Sequence, residues 1–200
     1  RFTHVSGSFE KTVNGIRNLT SRGVYVVARH VIVNNNVAET EEITDLVHSL
    51  GANLNRNPMI YPTVTGGKEH LSQRISDNAL YSLMMKDFYR PETDPCGAGA
   101  NHVTIDPSGN VYPCTFIHSL LLGNVRDQTL QEIWHSPALD RICKEGLFER
   151  IPDACKDCIH VERCPRCAAL TYLEQGDFRA RSTEACRICK VFERMMNSSN

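Results

Sequence analysis

The sequence predicts an α/β segment followed by a cysteine-rich α+β domain. Helix and strand patterns alternate over the first 90 residues, and all nine cysteines lie from Cys96 to Cys189. A hairpin-turn sequence, Asp106-Pro107-Ser108-Gly109, stands inside the cysteine-rich part. We therefore expect two domains, at 1–90 and 91–200.

The first helix is expected to begin with Ser8 as its cap and to stop at Gly23. Its apolar residues recur at helical spacing: Phe9, Val13, Ile16 and Leu19. The next segment, from Val24 to Val33, is mostly β-branched, which is typical of a strand that is covered on both faces in a parallel sheet.

A second helix is expected to end at Gly51, with a buried stripe of Ile43, Leu46, Val47 and Leu50. Ala52–Tyr61 is the next predicted strand, before a loop at 62–68. This order indicates a βαβ unit with a right-handed crossover. Two strands leave an unpaired sheet edge, so an N-terminal part of the same domain is expected before Arg1. Alternatively, the segment packs on the cysteine-rich part as a small α+β domain.

The next helix is expected over Asn78–Phe88, with an apolar face of Leu80, Leu83 and Met84, and Pro91–Pro95 is the expected linker. His102–Ile105 and Asn110–Cys114 flank the hairpin turn and are the predicted hairpin strands.

Two helices are predicted after the hairpin. Asp127 is expected to cap the first, which carries Leu130, Ile133 and Trp134. Ser136-Pro137 is expected to start the second, which carries Leu139, Ile142 and Cys143 and stops at Gly146.

Composition and charge restrict the partners. The chain is 41% hydrophobic and 22% charged, with a formal charge of -1. This balance provides no electrostatic basis for binding nucleic acid or an anionic membrane. The sequence contains neither an apolar run long enough to span a membrane nor a signal-peptide pattern. We expect a cytoplasmic protein with no nucleic-acid or membrane partner.

The strongest motif is C-x2-C-x5-C-x2-C, formed by Cys155, Cys158, Cys164 and Cys167. Soft thiolates favour iron-sulfur clusters, zinc or copper(I). Disulfides are the alternative, but they are typical of small secreted chains with even cysteine counts. Zinc ribbons usually separate their cysteine pairs by about 15 to 20 residues, whereas dense runs are typical of ferredoxin-type ligation. Spacing therefore favours iron-sulfur clusters, with zinc as the alternative.

The wider pattern closely resembles the SPASM module of radical S-adenosylmethionine enzymes. Twelve residues separate Cys96 from Gly109, four separate Gly109 from Cys114, and the dense group is followed by a late Cys186. The stretches that link these cysteines are also similar to the family: Ile105–Cys114, Gly123–Trp134 and Tyr172–Asp177. The resemblance covers Cys96–Cys189.

The resemblance implies two auxiliary clusters of the 4Fe-4S type. One would be held by Cys155, Cys158, Cys164 and Cys186. The other would be held by Cys96, Cys114 and Cys167 and lacks a fourth ligand. His102 and Cys143 are candidates for that ligand, or the site is open to substrate, and Cys189 competes with Cys186. By residue type alone, His102 is expected on the hairpin surface and Cys143 as a buried small hydrophobe.

The N-terminal part also resembles the family. Phe2–Leu19 is similar to the middle helix of the radical S-adenosylmethionine partial barrel, and Asn34–Asn36 would end the fifth strand. The resemblance makes Asn34 a candidate contact to S-adenosylmethionine, with loop capping as its alternative role. The C-x3-C-x2-C motif of the catalytic cluster does not occur in the 200 residues, so the chain is expected to be inactive alone.

The implied parent is an oxidoreductase that uses S-adenosylmethionine and a third 4Fe-4S cluster to abstract hydrogen from a peptide or protein. The short Cys164-Pro165-Arg166-Cys167 spacing resembles peptide maturases and points to ribosomally made peptides. Flavodoxin or ferredoxin is the expected reducing partner. The alternative is a zinc-stabilised structural or interaction module without activity. An electron-transfer protein like ferredoxin is disfavoured, because it would not need the βαβ half.

Overall fold

The computed structural model describes residues 5–92, 96–148 and 151–198. The chain forms two compact units. The first comprises Arg1–Ile60 and Gln73–Tyr89, and the second comprises Tyr61–Ser72 and Arg90–Asn200. Within the described ranges, every helix is too short or too polar to cross a membrane. The domain limits 1–90 and 91–200 stay a prediction.

The first unit is built around a parallel pair of strands. Over the described residues, β1 (Val27–Val31) pairs with β2 (Asn53–Asn57), so that Val27 lies opposite Asn53. Parallel neighbours need a crossover connection, and helix α2 (Thr40–Ser49) lies between the strands in sequence and buries Val47. The predicted βαβ order is confirmed, although both strands are shorter than the predicted segments Val24–Val33 and Ala52–Tyr61.

The strand β1 is covered on one face only in the described structure. His30 and the following Ile32 are buried, whereas Val27 and Val31 remain 44% and 51% exposed. Successive side chains of a strand point to opposite faces. The expectation of a strand covered on both faces is therefore wrong here, because only one of the two alternating sets is buried.

Helix α1 (Ser8–Thr20) differs from the prediction at its start. Gly7, at φ 71°, occupies the cap position, and Ser8 is the first helical residue. The helix buries none of its residues, and the Phe9 side chain is 64% exposed. The segment Phe2–Leu19 is the one that resembles the middle helix of the radical S-adenosylmethionine barrel, and its residues Phe2, Thr3 and His4 lie outside the described residues. Helix α3 (Asp77–Met85) buries the predicted face of Leu80, Leu83 and Met84, and it is capped by Ser76 and ends before the predicted Phe88.

The second unit contains an antiparallel sheet, which in the described residues has three strands. These are β3 (Thr104–Ile105), β4 (Asn110–Tyr112) and β5 (Gly123–Asn124), and β4 lies in the middle. The predicted hairpin is confirmed: the Asp106 carboxylate accepts hydrogen bonds from the backbone N–H groups of Ser108 and Asn110, at 2.8 and 2.9 Å. Gly109 has a φ of 88°, and a Cβ there would lie 2.7 Å from the side chain of Asn124. The sequence patterns did not predict β5.

Helix α4 (Leu130–Trp134) is capped by Thr129 and not by the predicted Asp127. The Thr129 hydroxyl accepts a hydrogen bond from the Glu132 N–H, and the Glu132 carboxylate accepts one from the Thr129 N–H, at 2.7 Å. This reciprocal capping box satisfies two N–H groups that a helix start leaves unpaired. Three residues after Asp127 stands Leu130, whose side chain cannot complete such a box.

Three further helices complete the second unit. Helix α5 (Pro137–Lys144) is capped by Ser136, as predicted. Helices α6 (Ala168–Gln175) and α7 (Thr183–Ser198) follow the dense cysteine run. The core comprises these buried residues: Ala98, Val111, Ile117, Leu122, Ile133, Leu139, Ile142, Phe148, Ala168 and Ala169. The predicted fold class is confirmed. The expected linker, Pro91–Pro95, lies partly outside the described residues.

Candidate metal centre

A cavity of about 710 Å³ in the second unit is lined by six thiols. They belong to Cys96, Cys155, Cys158, Cys164, Cys186 and Cys189. We refer to it as the six-cysteine cavity. All nine cysteines of the chain lie within the described ranges, and all are free thiols. The cavity therefore offers soft, deprotonatable sulfur ligands and no disulfide.

Tight turns hold the first two cysteines of the dense run. The segment Asp153–Cys155 is a 3-10 turn. The Cys158 N–H then donates to the Cys155 carbonyl at 3.1 Å, and the Val161 N–H donates to the Cys158 carbonyl at 3.0 Å. Such consecutive turns direct thiols that are close in sequence toward one centre, which is the geometric basis of the C-x2-C spacing.

The second pair of the run is joined by an even tighter turn. The Arg166 N–H donates to the Cys164 carbonyl at 2.7 Å. Cys167 is the cap residue of α6, and its carbonyl accepts from the Thr171 N–H at 3.0 Å. The two residues between Cys164 and Cys167 therefore form the connection from the turns to helix α6.

Helix α7 contributes Cys186 and Cys189 from one turn of its surface. The Ser182 hydroxyl accepts from the Ala185 N–H at 3.2 Å and donates to the Glu174 carboxylate at 2.8 Å. The same carboxylate accepts from the Thr183 N–H at 2.8 Å. A carboxylate at a helix N-terminus satisfies unpaired N–H groups and interacts favourably with the helix dipole. Glu174 of α6 thus fixes the helix that carries the two late cysteines.

The thiols on the turns and on α7 are close enough to affect each other. Burial raises the pKa of Cys186, and the neighbouring Cys164, Cys155 and Cys158 raise it further. Burial also raises the pKa of Cys155, with Cys164 and Cys158 acting in the same direction and Arg181 opposing them. The sulfur atoms of Cys155, Cys158, Cys164 and Cys186 thus form one neighbourhood.

Cys189 belongs to the same neighbourhood. Its thiol, which is 3% exposed, donates a hydrogen bond to the sulfur of Cys164. This hydrogen bond lowers the pKa of Cys164 to about 7 and raises the pKa of Cys189. Five thiols are therefore present where a cubane cluster takes four ligands.

Cys96, Cys114 and Cys167 form a second neighbourhood, packed against the core. Burial raises the pKa of Cys114, and Cys167 and then Cys96 raise it further. The Phe116 N–H lies 3.5 Å from the Cys114 sulfur, in position to donate to it. Cys114 therefore lies near Cys167 and Cys96, and Cys96 also lines the six-cysteine cavity. The division of the ligands between two clusters stays a prediction.

The two further candidates for this second neighbourhood are both exposed. His102 is exposed, and its Nδ1 is 2.9 Å from the Asn101 side-chain oxygen. Cys143 is exposed and donates to the Gly99 carbonyl at 3.4 Å. The expectation of a buried Cys143 is wrong, because α5 buries Leu139 and Ile142 and the next residue faces outward. Like Cys114 and Cys167, His102 and Cys143 do not line the six-cysteine cavity.

Asn34 lies in the first unit, in the turn that follows β1. Its side chain is exposed, and its N–H donates to the Gln73 carbonyl at 2.9 Å. The side chain that caps this turn is that of Asn36, which accepts from the Val33 N–H and donates to the Val31 carbonyl, at 2.8 and 3.0 Å. The role of Asn34 toward S-adenosylmethionine stays a prediction.

Sequence reasoning missed the cations of the site. Arg166, Arg181 and Lys190 line the six-cysteine cavity. Arg166 lies inside the cysteine motif, which is a signal that could have identified it. Nothing in the local sequence marks Arg181, which the fold brings to the cavity.

The donor set fits an iron-sulfur cluster by its chemistry. Within 5–92, 96–148 and 151–198, no group of three or more His, Cys, Asp or Glu side chains is arranged to hold a single metal ion. Thiolates that bind a cluster stand further apart than those around one ion, since each binds a different iron atom. Sulfur ligands with cations beside them suit the negative charge of a thiolate-ligated cluster.

Comparison with protein families identifies the domain. Residues 96–159 match the SPASM family, described as an iron-sulfur cluster-binding domain. This part of the chain is a SPASM iron-sulfur domain, and the sequence-based recognition of a radical S-adenosylmethionine SPASM-domain protein is confirmed.

Individual relatives agree with the domain match. The mycofactocin maturase MftC of Mycobacterium tuberculosis (strain H37Rv) is 29% identical over 194 residues, covering 80% of this chain and 46% of that protein. The antilisterial bacteriocin subtilosin biosynthesis protein AlbA of Bacillus subtilis (strain 168) is 24% identical over 151 residues, covering 68% and 34%. An AdoMet-dependent heme synthase of Methanosarcina barkeri is 29% identical over 90 residues, covering 45% and 25%. The chain thus spans less than half of these curated relatives.

A solved structure supports the fold. The structure of histidine-tagged anSMEcpe with bound AdoMet superposes with a TM-score of 0.57 at 14% sequence identity. The match covers 96% of this chain and 59% of that one. At this identity the likeness shows the fold alone, and it agrees with βα units followed by a cysteine-rich region.

Proposed function

We propose that this chain is the auxiliary-cluster portion of a radical S-adenosylmethionine enzyme that modifies a peptide or protein. The observation that carries the proposal is the six-cysteine cavity, whose Cys96, Cys155 and Cys158 lie in the stretch that matches the SPASM iron-sulfur family. A domain that only needed one structural metal would not require thiols in two neighbourhoods.

In this proposal one 4Fe-4S cluster is held by Cys155, Cys158, Cys164 and Cys186. The support is that tight turns and helix α7 bring these thiols together: beyond the effect of burial, Cys164 and Cys158 raise the pKa of Cys155, and Cys164, Cys155 and Cys158 raise the pKa of Cys186. Cys189 is the competing ligand on α7, since it contacts Cys164 and lines the same cavity.

A second 4Fe-4S cluster is held by Cys96, Cys114 and Cys167. Three thiolates leave one iron without a protein sulfur. Because His102 is exposed beside the Asn101 side chain and the exposed Cys143 thiol donates to the Gly99 carbonyl, the proposal leaves this position open to solvent or to a substrate group.

The whole enzyme would carry a third 4Fe-4S cluster on a C-x3-C-x2-C motif, and Asn34 is proposed to contact its S-adenosylmethionine. That third cluster would supply the electron for reductive cleavage of S-adenosylmethionine, and the auxiliary clusters would accept an electron from the substrate or bind it. Flavodoxin or ferredoxin is the proposed electron donor. Domains 1–90 and 91–200 are proposed as the barrel part and the cluster part.

A peptide is the proposed substrate class. Two relatives that align over most of this chain are named for mycofactocin maturation and for bacteriocin subtilosin biosynthesis. The heme synthase relative aligns over 45% of the chain. The Cys164-Pro165-Arg166-Cys167 spacing, which resembles peptide maturases, points the same way.

Metal analysis of the full chain tests the cluster assignment. Anaerobically reconstituted protein should be brown and contain about eight irons and eight sulfides per chain. Cys158→Ala should lose about half of this iron. Cys143→Ala is the matched control, because it removes an exposed thiol outside the cavity, and it should retain all the iron. Colourless protein with stoichiometric zinc would contradict the proposal and favour a zinc-stabilised module.

The substrate class needs a longer protein that includes the C-x3-C-x2-C motif. Cleavage of S-adenosylmethionine to 5′-deoxyadenosine should be stimulated by a precursor peptide. Stimulation by a haem precursor, with none by peptides, would contradict the peptide assignment while leaving the cluster assignment intact.

A further inference from the structure

The charges around the six-cysteine cavity are mainly positive. Arg166, Arg181 and Lys190 line it, and among its described lining residues the acid is Glu193. The Glu193 carboxylate lies 3.4 Å from Nε2 of His160, so its charge is directed to a neighbouring imidazole. A net positive lining surrounds the thiols, each of which becomes negative when it binds metal.

Arg181 is held in a defined position. Its Nε donates to the Ala154 carbonyl at 2.7 Å, and its Nη2 donates to the same oxygen. Ala154 lies 27 residues earlier in the chain, in the 3-10 turn that ends at Cys155. The guanidinium thus joins the segment before α7 to the turn that presents Cys155.

The positive charge of Arg181 stands beside thiols from both of these segments. Arg181 lines the six-cysteine cavity together with Cys155 and Cys186, and it holds the carbonyl of the residue that precedes Cys155. A cation in this position stabilises a reduced cluster more than an oxidised one, because the reduced state carries more negative charge. The potential of an iron-sulfur cluster depends on nearby charge, hydrogen bonds and solvent exposure.

We propose that Arg181 is a positioning residue that fixes the Cys155 turn and raises the reduction potential of the cluster held by Cys155, Cys158, Cys164 and Cys186. This inference rests on the proposed function. The guanidinium favours the reduced cluster over the oxidised one, since reduction adds one negative charge near it. The electron comes from the flavodoxin-type or ferredoxin-type donor of the proposed function.

The test is a potentiometric titration of the reconstituted chain, followed by electron paramagnetic resonance. Arg181→Gln should lower the potential of one cluster and leave the other unchanged, at wild-type iron content. Arg181→Lys keeps the charge and should hold the potential close to the wild-type value. Arg179→Gln is the matched control, because Arg179 is exposed and lies two residues away without lining the cavity. It should leave both potentials unchanged.

Each outcome decides the proposal. An Arg181→Gln chain with full iron and an unshifted potential overturns it, and so does a shift of equal size in Arg179→Gln. If Arg181→Gln loses one cluster and Arg181→Lys retains it, the positive charge is required and the proposal stands. Loss of the cluster in both variants overturns the charge role. A wild-type chain that binds no iron refutes the proposed function instead, so the two failures are distinguishable.

Discussion

The ion pair on helix α7 provides a quantitative test of how this helix is held. Glu184 and Arg187 form a two-point contact, with Nη2–Oε1 at 2.7 Å and Nε–Oε2 at 3.0 Å. The Glu184 side chain is 1% exposed and that of Arg187 is 24% exposed. Arg187→Ala would leave the Glu184 carboxylate buried without this partner, one turn from the cysteines of α7.

The expected loss of stability in Arg187→Ala follows from the burial of the Glu184 carboxylate. Removing one partner of a buried ion pair costs about 3 to 5 kcal/mol. Since Arg187 is partly exposed, we expect the lower end, about 3 kcal/mol, in the free energy of unfolding. For a chain of this length, that loss corresponds to a decrease in Tm of about 6 to 12 °C.

The assay is thermal and urea unfolding of the metal-free chain, because a bound cluster would stabilise the folded state by mass action. Trp134 is the single tryptophan of the chain and packs against the core of the second unit. Its fluorescence therefore reports on the unit that contains α7. Arg194→Ala removes an exposed arginine from the same helix and should cost less than about 1 kcal/mol.

A double variant tests whether the unpaired buried charge causes the loss of stability. Glu184→Gln combined with Arg187→Ala removes the buried charge and should be more stable than Arg187→Ala alone. The reasoning is refuted if the double variant is as unstable as the single one, or if Arg187→Ala costs no more than Arg194→Ala.

Three other predictions concern the cysteines and the start of α7. Cys186→Ser should reduce bound iron from about eight to about four per chain, whereas Cys189→Ser should retain it; the reverse result would make Cys189 the ligand. In the metal-free chain, the rate at which iodoacetamide alkylates Cys164 should rise with pH and reach half of its maximum near pH 7. At that pH about half of Cys164 is thiolate, whereas an ordinary thiol is only a few per cent thiolate. Cys189→Ala should move that midpoint to higher pH, because it removes the hydrogen bond that favours the Cys164 thiolate. Mass spectrometry measures the alkylation, and an unchanged midpoint would contradict the prediction. Glu174→Ala should lower the free energy of unfolding by about 1 kcal/mol, since it removes the carboxylate that accepts from the Thr183 N–H, and an unchanged urea midpoint would show that this cap is dispensable.

Features that depend on residues close in sequence were predicted well. The hairpin at 106–109 formed because an Asp, a Pro and a Gly at fixed offsets satisfy the turn locally. The stop of α2 at Gly51 and the cap of α5 at Ser136 have the same local origin. The metal chemistry of the cysteine run also follows from residue type and spacing.

The errors arose where two local solutions compete or where packing decides. Asp127 and Thr129 are both acceptable caps, and the reciprocal contact with Glu132 selects Thr129. Cys143 was expected to be buried because its helix is apolar, but the rotation of α5 places it outside. The stripe of α1 and the β-branched residues of β1 are likewise exposed, since a pattern shows that a face is apolar and does not show what covers it.

The sequence by itself determined the order of elements, the hairpin and the thiol-rich chemistry of this protein. The tertiary structure decided which thiols meet: it brought Cys186 and Cys189 on α7 to the turns at 155–164 and placed Arg181 against Ala154. The physical reason is the separation along the chain over which each kind of interaction acts. Spacing restricts the backbone over a few residues, whereas contacts between residues some 27 positions apart depend on the packing of whole helices against a shared core.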